Sequence, residues 1–173
     1  MLKADDINVE RSDLERFFVH HLHKIYAAKT MLVTELPELM NNAHFSDLRE
    51  AIHTTIEDVK QQIERMKQIY EMLPVDFSEV HSNGLKGLID DSFNDIKLHS
   101  KNPELRDMSI LFYLHNIESI EMASFQILEM AAVKLRNDQI KQLIKQNYEQ
   151  AKADRTLLLL ISAKYMATVN NPL

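Results

Sequence analysis

The sequence predicts an all-α fold: four long helices in a bundle of two antiparallel hairpins joined by a crossover, with an additional short helix. Three observations predict it. Apolar residues recur at intervals of three and four over stretches of roughly 30 residues, the spacing of one helix face. The 173 residues include only 2 Gly and 4 Pro, so little interrupts long elements. No segment alternates with the two-residue period of a strand, and none is of low complexity.

The first long helix is expected from about Asp13 to Asn42, after a polar start in which Ser12-Asp13-Leu14-Glu15 has the capping-box pattern. Its stripe is Phe18, Leu22, Ile25, Lys29, Val33, Leu36 and Met40. Pro37 lies inside the stripe and predicts a kink rather than a stop, because the pattern continues past it. Asn41 to His44 make the turn, and Ser46 is the next cap candidate. The second helix carries Leu48, Ile52, Val59, Ile63, Met66, Tyr70 and Leu73, and Pro74 ends it. A long connection over 75–83 follows. A shorter helix from Gly84 to about His99 carries Leu85, Leu88, Ile89 and Ile96.

Asn102-Pro103-Glu104 is a strong helix start: a cap, a proline at the first position, then an acid. The third long helix runs to about Leu135, with Ile110, Leu114, Ile117, Glu121, Phe125 and Leu128 along one face. Asn137 caps the fourth, whose register reads Ile140, Ile144, Tyr148, Ala151, Arg155, Leu158 and Ser162 and fades near Thr168. Short turns join the first helix to the second and the third to the fourth. The middle connection is long, which is the ferritin-like arrangement among bundles. One domain spanning 1–173 is expected, with its ordered core at about 12–168.

Composition narrows the function. Net charge is −6, without an extended basic run, which argues against nucleic acid or an anionic membrane as partner. The longest apolar run, Leu157 to Ile161, is five residues, far short of a membrane span. The absence of an apolar signal core after Met1 leads to the expectation of a cytoplasmic protein. No cysteine is present, so thiolate catalysis and thiolate metal sites are excluded. Neither a Gly-x-Ser-x-Gly elbow nor a phosphate loop occurs, and Gly84 and Gly87 make no nucleotide-binding turn.

Lys29 is the most informative residue. A lysine inside an apolar stripe must bury its stem and then reach water or a carboxylate. Asp58, Glu118 and Glu121 occupy comparable places on other helices. Facing helices that project carboxylates inward are how a ferritin-like bundle holds two metal ions. Here Lys29 and Arg155 also read as inward, and such cations repel a divalent metal and neutralise the acids that would attract it. An internal ion-pair network of Lys29, Asp58, Glu118, Glu121 and Arg155 is therefore the simplest reading. The alternative keeps iron or manganese, with Glu57, Asp58, Glu118, Glu121 and Glu149 as the ligand candidates and Lys29 swung out. His20, His21 and His23 lack an inward acid beside them and read as surface or cap residues. The methionines read as core filler. The run Leu157 to Ile161 exceeds one helix face and implies burial on several sides, under the short helix or in a dimer interface.

Several stretches carry a family resemblance: Phe18 to Leu32 (FVHHLHKIYAAKTML), Gln62 to Met66 (QIERM), Gly87 to Asp91 (GLIDD), Leu105 to Asp107 (LRD) and Ile117 to Phe125 (IESIEMASF). In order and spacing they resemble the YciF/YciE-like family of ferritin-like bacterial proteins, from about Asp13 to Tyr165. The resemblance implies a ferritin-like bundle, usually dimeric, with a di-metal carboxylate site in several members and an association with stress responses. The departures fall on that site. Lys29 stands where the family has a glutamate. Ala151 and Arg155 stand in the acidic part of the last helix. In the second helix, Glu57-Asp58-Val59 replaces a Glu-Glu-Thr pattern, and Lys60 stands near a position that can be histidine. Three functions are therefore expected, in order. The first is a metal-free, non-enzymatic, stress-associated homodimer with the ion-pair network in place of the metals. The second is an iron or manganese carboxylate protein handling oxidants. The third is an adaptor bundle whose surplus apolar face on the last helix binds an amphipathic partner.

Overall fold

The computed structural model describes residues 9–73 and 83–168. Five helices follow one another: α1 (Arg11–Asn42), α2 (Ser46–Glu71), α3 (Asn83–Leu98), α4 (Pro103–Leu135) and α5 (Asp138–Ala167). No strand occurs among the described residues. Pro74 and most of the connection expected at 75–83 lie outside them.

The long helices pack as a ring in the order α1, α2, α5, α4, each against the next, and α3 lies on α1 and α4. Direction follows from cross-helix bonds. Asp107, near the start of α4, takes the backbone N–H groups of His44 and Phe45 at 2.6 Å each, just before α2 begins. Lys164, near the end of α5, pairs with Asp47 at the start of α2. Phe45 and Tyr165 stack with ring centroids 3.7 Å apart at the same end. So α2 and α4 both leave from that end and run the same way. The chain leaves α2 about 40 Å further on and must return along the bundle before α4 starts. This makes a crossover obligatory, and α3 is its helical part.

One core joins all five helices. The α4 stripe is buried as expected, from Ile110 through Glu121 to Leu128. In α1 the buried line is Phe18, Leu22, Ile25, Lys29, Leu32, Leu36 and Leu39, so Val33 and Met40 stand one residue off it, partly buried. The helix continues through Pro37, as its pattern required. Asn102 and Asn137 cap α4 and α5, each accepting from the backbone three residues on at 3.0 Å.

The two serine caps are not used. The first helix starts at Arg11 with Glu10 at the cap and no side-chain cap bond. Arg11 pairs with Glu15 at 2.9 Å and Arg16 with Asp13, and these pairs brace the first turn around an exposed Ser12. In α2 the cap position is Phe45, and the Asp107 carboxylate does the work expected of Ser46. On α5 the buried line is Ile140, Ile144, Asn147, Ala151, Asp154, Leu158 and Ile161. Tyr148, Arg155 and Ser162 each fall one residue off it. Within the apolar run, Leu158 is buried, whereas Leu157, Leu159 and Leu160 are 38 %, 48 % and 64 % exposed. The short helix does not cover them, because it packs on α1 and α4.

Candidate functional site

At mid-bundle α1 offers Lys29 and α4 offers Glu118 and Glu121, one helical turn apart, so both acids face α1. Lys29 is 0 % exposed, Glu118 1 % and Glu121 0 %, which seals the group from solvent. The Lys29 ammonium is in contact with Glu121 and lies 3.9 Å from Glu118 Oε1. From α5, Asp154 enters the same layer, 2 % exposed. From α2, half-buried Asp58 faces Asp154, and Gln62 is fully buried one turn on. Gln150 donates to Asp58 at 2.9 Å and Arg65 donates to Asn147 at 3.2 Å, so a polar seam continues between α2 and α5.

The electrostatics follow from burial with one cation among four acids. Burial alone would pull the Lys29 ammonium down, but Glu118, Glu121 and Asp154 outweigh it and hold its pKa above the usual value. Burial pushes Glu118 well above the carboxylate range, and Glu121 and Asp154 add to the rise while Lys29 opposes it. Glu121 is also raised by burial, against the pull of Lys29. Asp154 is pushed up to about 7 by burial, then by the charge of Asp58 and a hydrogen bond with it. Burial thus favours the neutral form of Glu118, Glu121 and Asp154 beside the Lys29 ammonium.

The other sequence candidates lie elsewhere. Arg155 is half-buried and donates from Nε to Ser119 Oγ at 2.8 Å, not to an acid of the layer. Glu57 and Glu149 are exposed and face Lys60 at 2.7 Å and Lys152 at 3.9 Å. Of the histidines, His20 is exposed, His21 half-buried, and His23 is in the core with its ring 4.9 Å from Tyr70. Among the described residues no group of three or more His, Asp or Glu side chains is arranged to hold a metal ion. Of the charged residues that the last helix offers, Glu149, Asp154 and Arg155, the inward one is not Arg155 but Asp154. The 3-4-3-4 spacing of Ile140, Ile144, Asn147, Ala151, Asp154, Leu158 and Ile161 marks it, whereas the register through Tyr148 favoured Arg155. No helix among the described residues is long and apolar enough to cross a membrane.

Comparison with known proteins agrees with the fold and the resemblance. The chain is 28 % identical to Protein YciF of Escherichia coli (strain K12) over 141 residues, covering 81 % of this chain and 84 % of that protein. The crystal structure of the E. coli stress protein YciF superposes with a TM-score of 0.83 at 25 % identity, over 90 % of this chain and 98 % of that one. YcfI from Rhodopseudomonas palustris superposes with a TM-score of 0.78 at 25 % identity, over 91 % and 98 %. A family model described as a domain of unknown function, DUF892, matches residues 13–169, and the chain belongs to that family.

Proposed function

We propose that this YciF-like bundle is a non-catalytic structural protein of the stress-associated kind, in which a buried lysine–carboxylate layer takes the place of a di-metal centre. The observation that carries the reading is Lys29, an ammonium fully enclosed beside Glu118 and Glu121. A di-metal site needs its carboxylates ionised and converging on the cations. Here the ammonium takes the position of positive charge, and burial raises the pKa of the acids around it, which opposes their ionisation together. The residues present therefore do not fit a resident iron or manganese pair. Enclosure supports the non-catalytic reading, since no substrate reaches side chains that solvent does not reach. The stress role rests on likeness to a protein called a stress protein. A cytoplasmic location and a homodimer belong to the same proposal, the dimer resting on apolar side chains that α4 and α5 leave outside the bundle.

Metal content per chain, after anaerobic loading with Fe²⁺ or Mn²⁺ and desalting, tests the reading. Near-zero retained metal is expected. Two equivalents, lost in Glu121→Gln, would overturn it in favour of an iron or manganese protein.

A further inference from the structure

A groove of about 540 Å³ opens between α1, α3 and α4, apart from the sealed layer. Its walls are Phe17 and Ile25 from α1, Leu85 from α3, and Ile120 and Ile127 from α4. Phe17, Ile120 and Ile127 are 43 %, 40 % and 53 % exposed, so the groove floor is open apolar surface. That volume lies within the ~300–1,000 Å³ of small-molecule sites, which pair apolar walls with a few placed polar groups.

The polar groups in the groove are Lys24, His21 and Ser124. Lys24 lines the groove, half-buried, with no ion pair or hydrogen bond among the described residues. Among the described residues no carboxylate lines it. The Ser124 hydroxyl is already committed to Ile120 O at 2.8 Å. His21 beside it has its pKa lowered by burial, then by His20 and Lys24, which favours the neutral imidazole. Leu85 is in the first turn of α3, so the positive end of that helix dipole borders the same space. Among the described residues the charge in the groove is unmatched and positive, and the surface around it is apolar.

We propose that this groove binds a free single-chain amphiphile with a carboxylate head: its chain lies on Ile25, Leu85, Ile120 and Ile127, and its head pairs with Lys24. The carboxylate supplies the acceptor that Lys24 lacks, and desolvation by the walls strengthens the pair.

Titration calorimetry with decanoate below its micelle concentration tests the proposal, with decan-1-ol as the neutral partner of equal length. Saturable binding of one decanoate per chain is expected, with decan-1-ol weaker by about tenfold. Lys24→Gln should weaken decanoate by the same factor and leave decan-1-ol unchanged. Ala123→Trp, placed in the groove of a chain that has no other tryptophan, should block decanoate while the helical circular dichroism is retained. Equal affinity for acid and alcohol, unaltered by Lys24→Gln, would overturn the proposal in favour of unspecific apolar contact. Binding seen only with phosphatidylglycerol vesicles would overturn it in favour of a membrane surface. No saturable binding by the wild-type chain would also overturn it. A change of mass in Ala123→Trp without loss of decanoate binding would assign the groove to a second copy instead.

Discussion

At the scale of single residues, Lys29 decides how the interior tolerates its acids. It is the only cation in contact with the sealed carboxylates among the described residues, and it lowers the pKa of each of Glu118, Glu121 and Asp154. Lys29→Met leaves those acids without a counter-charge, and about 3 kcal/mol of stability should be lost at about pH 8. The loss should shrink toward about pH 5, where the acids can take up protons instead. Denaturant unfolding at the two pH values measures both, and an equal loss at each would mean that Lys29 does not compensate ionised acids. Adding Glu121→Leu to Lys29→Met should recover most of the stability, since an apolar pair replaces a buried ionic one. The wild-type layer has its own pH dependence. An acid whose folded pKa is raised binds protons more tightly when folded, so its stabilisation is complete below the unfolded pKa and disappears as pH rises through the folded one. For Asp154 that window runs from the ordinary carboxylate value up to about 7. Stability should fall across it, and Asp154→Asn should flatten the fall.

At the scale of elements, two helix ends have separable energetics. The start of α2 is held by Asp107 from α4 rather than by its own serine, so Asp107→Ala leaves two backbone N–H groups without their acceptor and unties α4 from α2. A loss of about 1–3 kcal/mol is expected in denaturant unfolding, and Asp107→Asn should lose less because it keeps one oxygen acceptor. The end of α4 turns on Arg136, whose φ of 55° and ψ of 39° place it in the left-handed region. Its Cβ is crowded there, and Arg136→Gly should raise stability by about 0.5–1 kcal/mol, read as a higher denaturant midpoint at unchanged slope. The same ends mark how far the sequence is legible. Asn102 and Asn137 are local caps, and a local pattern finds them. The acceptor at the start of α2 lies more than sixty positions downstream, so no pattern around Ser46 reveals it. The helices themselves are legible because their buried lines keep three- and four-residue spacing through charged residues, as Lys29 and Glu121 do. On α5 two adjacent lines, one through Tyr148 and Arg155 and one through Asn147 and Asp154, share the three- and four-residue spacing. The smaller pair is nevertheless the buried one, each member meeting a polar partner on α2 or in the central layer.

At the scale of the whole molecule, the bundle leaves apolar surface that the described residues do not cover. Outside the groove lining, α4 shows Phe112 at 62 %, Met130 at 58 % and Val133 at 50 % exposure, and α5 shows Leu160 at 64 %. These positions carry little charge between them, and a face of that kind suits a copy of itself. Area sets the requirement. A standard interface buries about 800 Å² on each partner. The outward strip of α4, about 50 Å long and about 10 Å wide, supplies about 500 Å². The proposed dimer through this face therefore needs Leu157 and Leu160 of α5 as well, the exposed part of the apolar run. Phe112→Glu combined with Leu160→Glu should give a monomer by light scattering, with the helical circular dichroism retained, where the wild type gives a dimer of constant mass on dilution to micromolar concentrations. A wild-type monomer, or a double variant that keeps the dimer mass, would remove this face from the interface. The groove beside Lys24 gives a further check, because Lys24 and Ile25 set it on the α1 side while Ala123 borders the outward strip of α4. If the outward face is the interface, the monomeric variant should still bind decanoate with wild-type affinity.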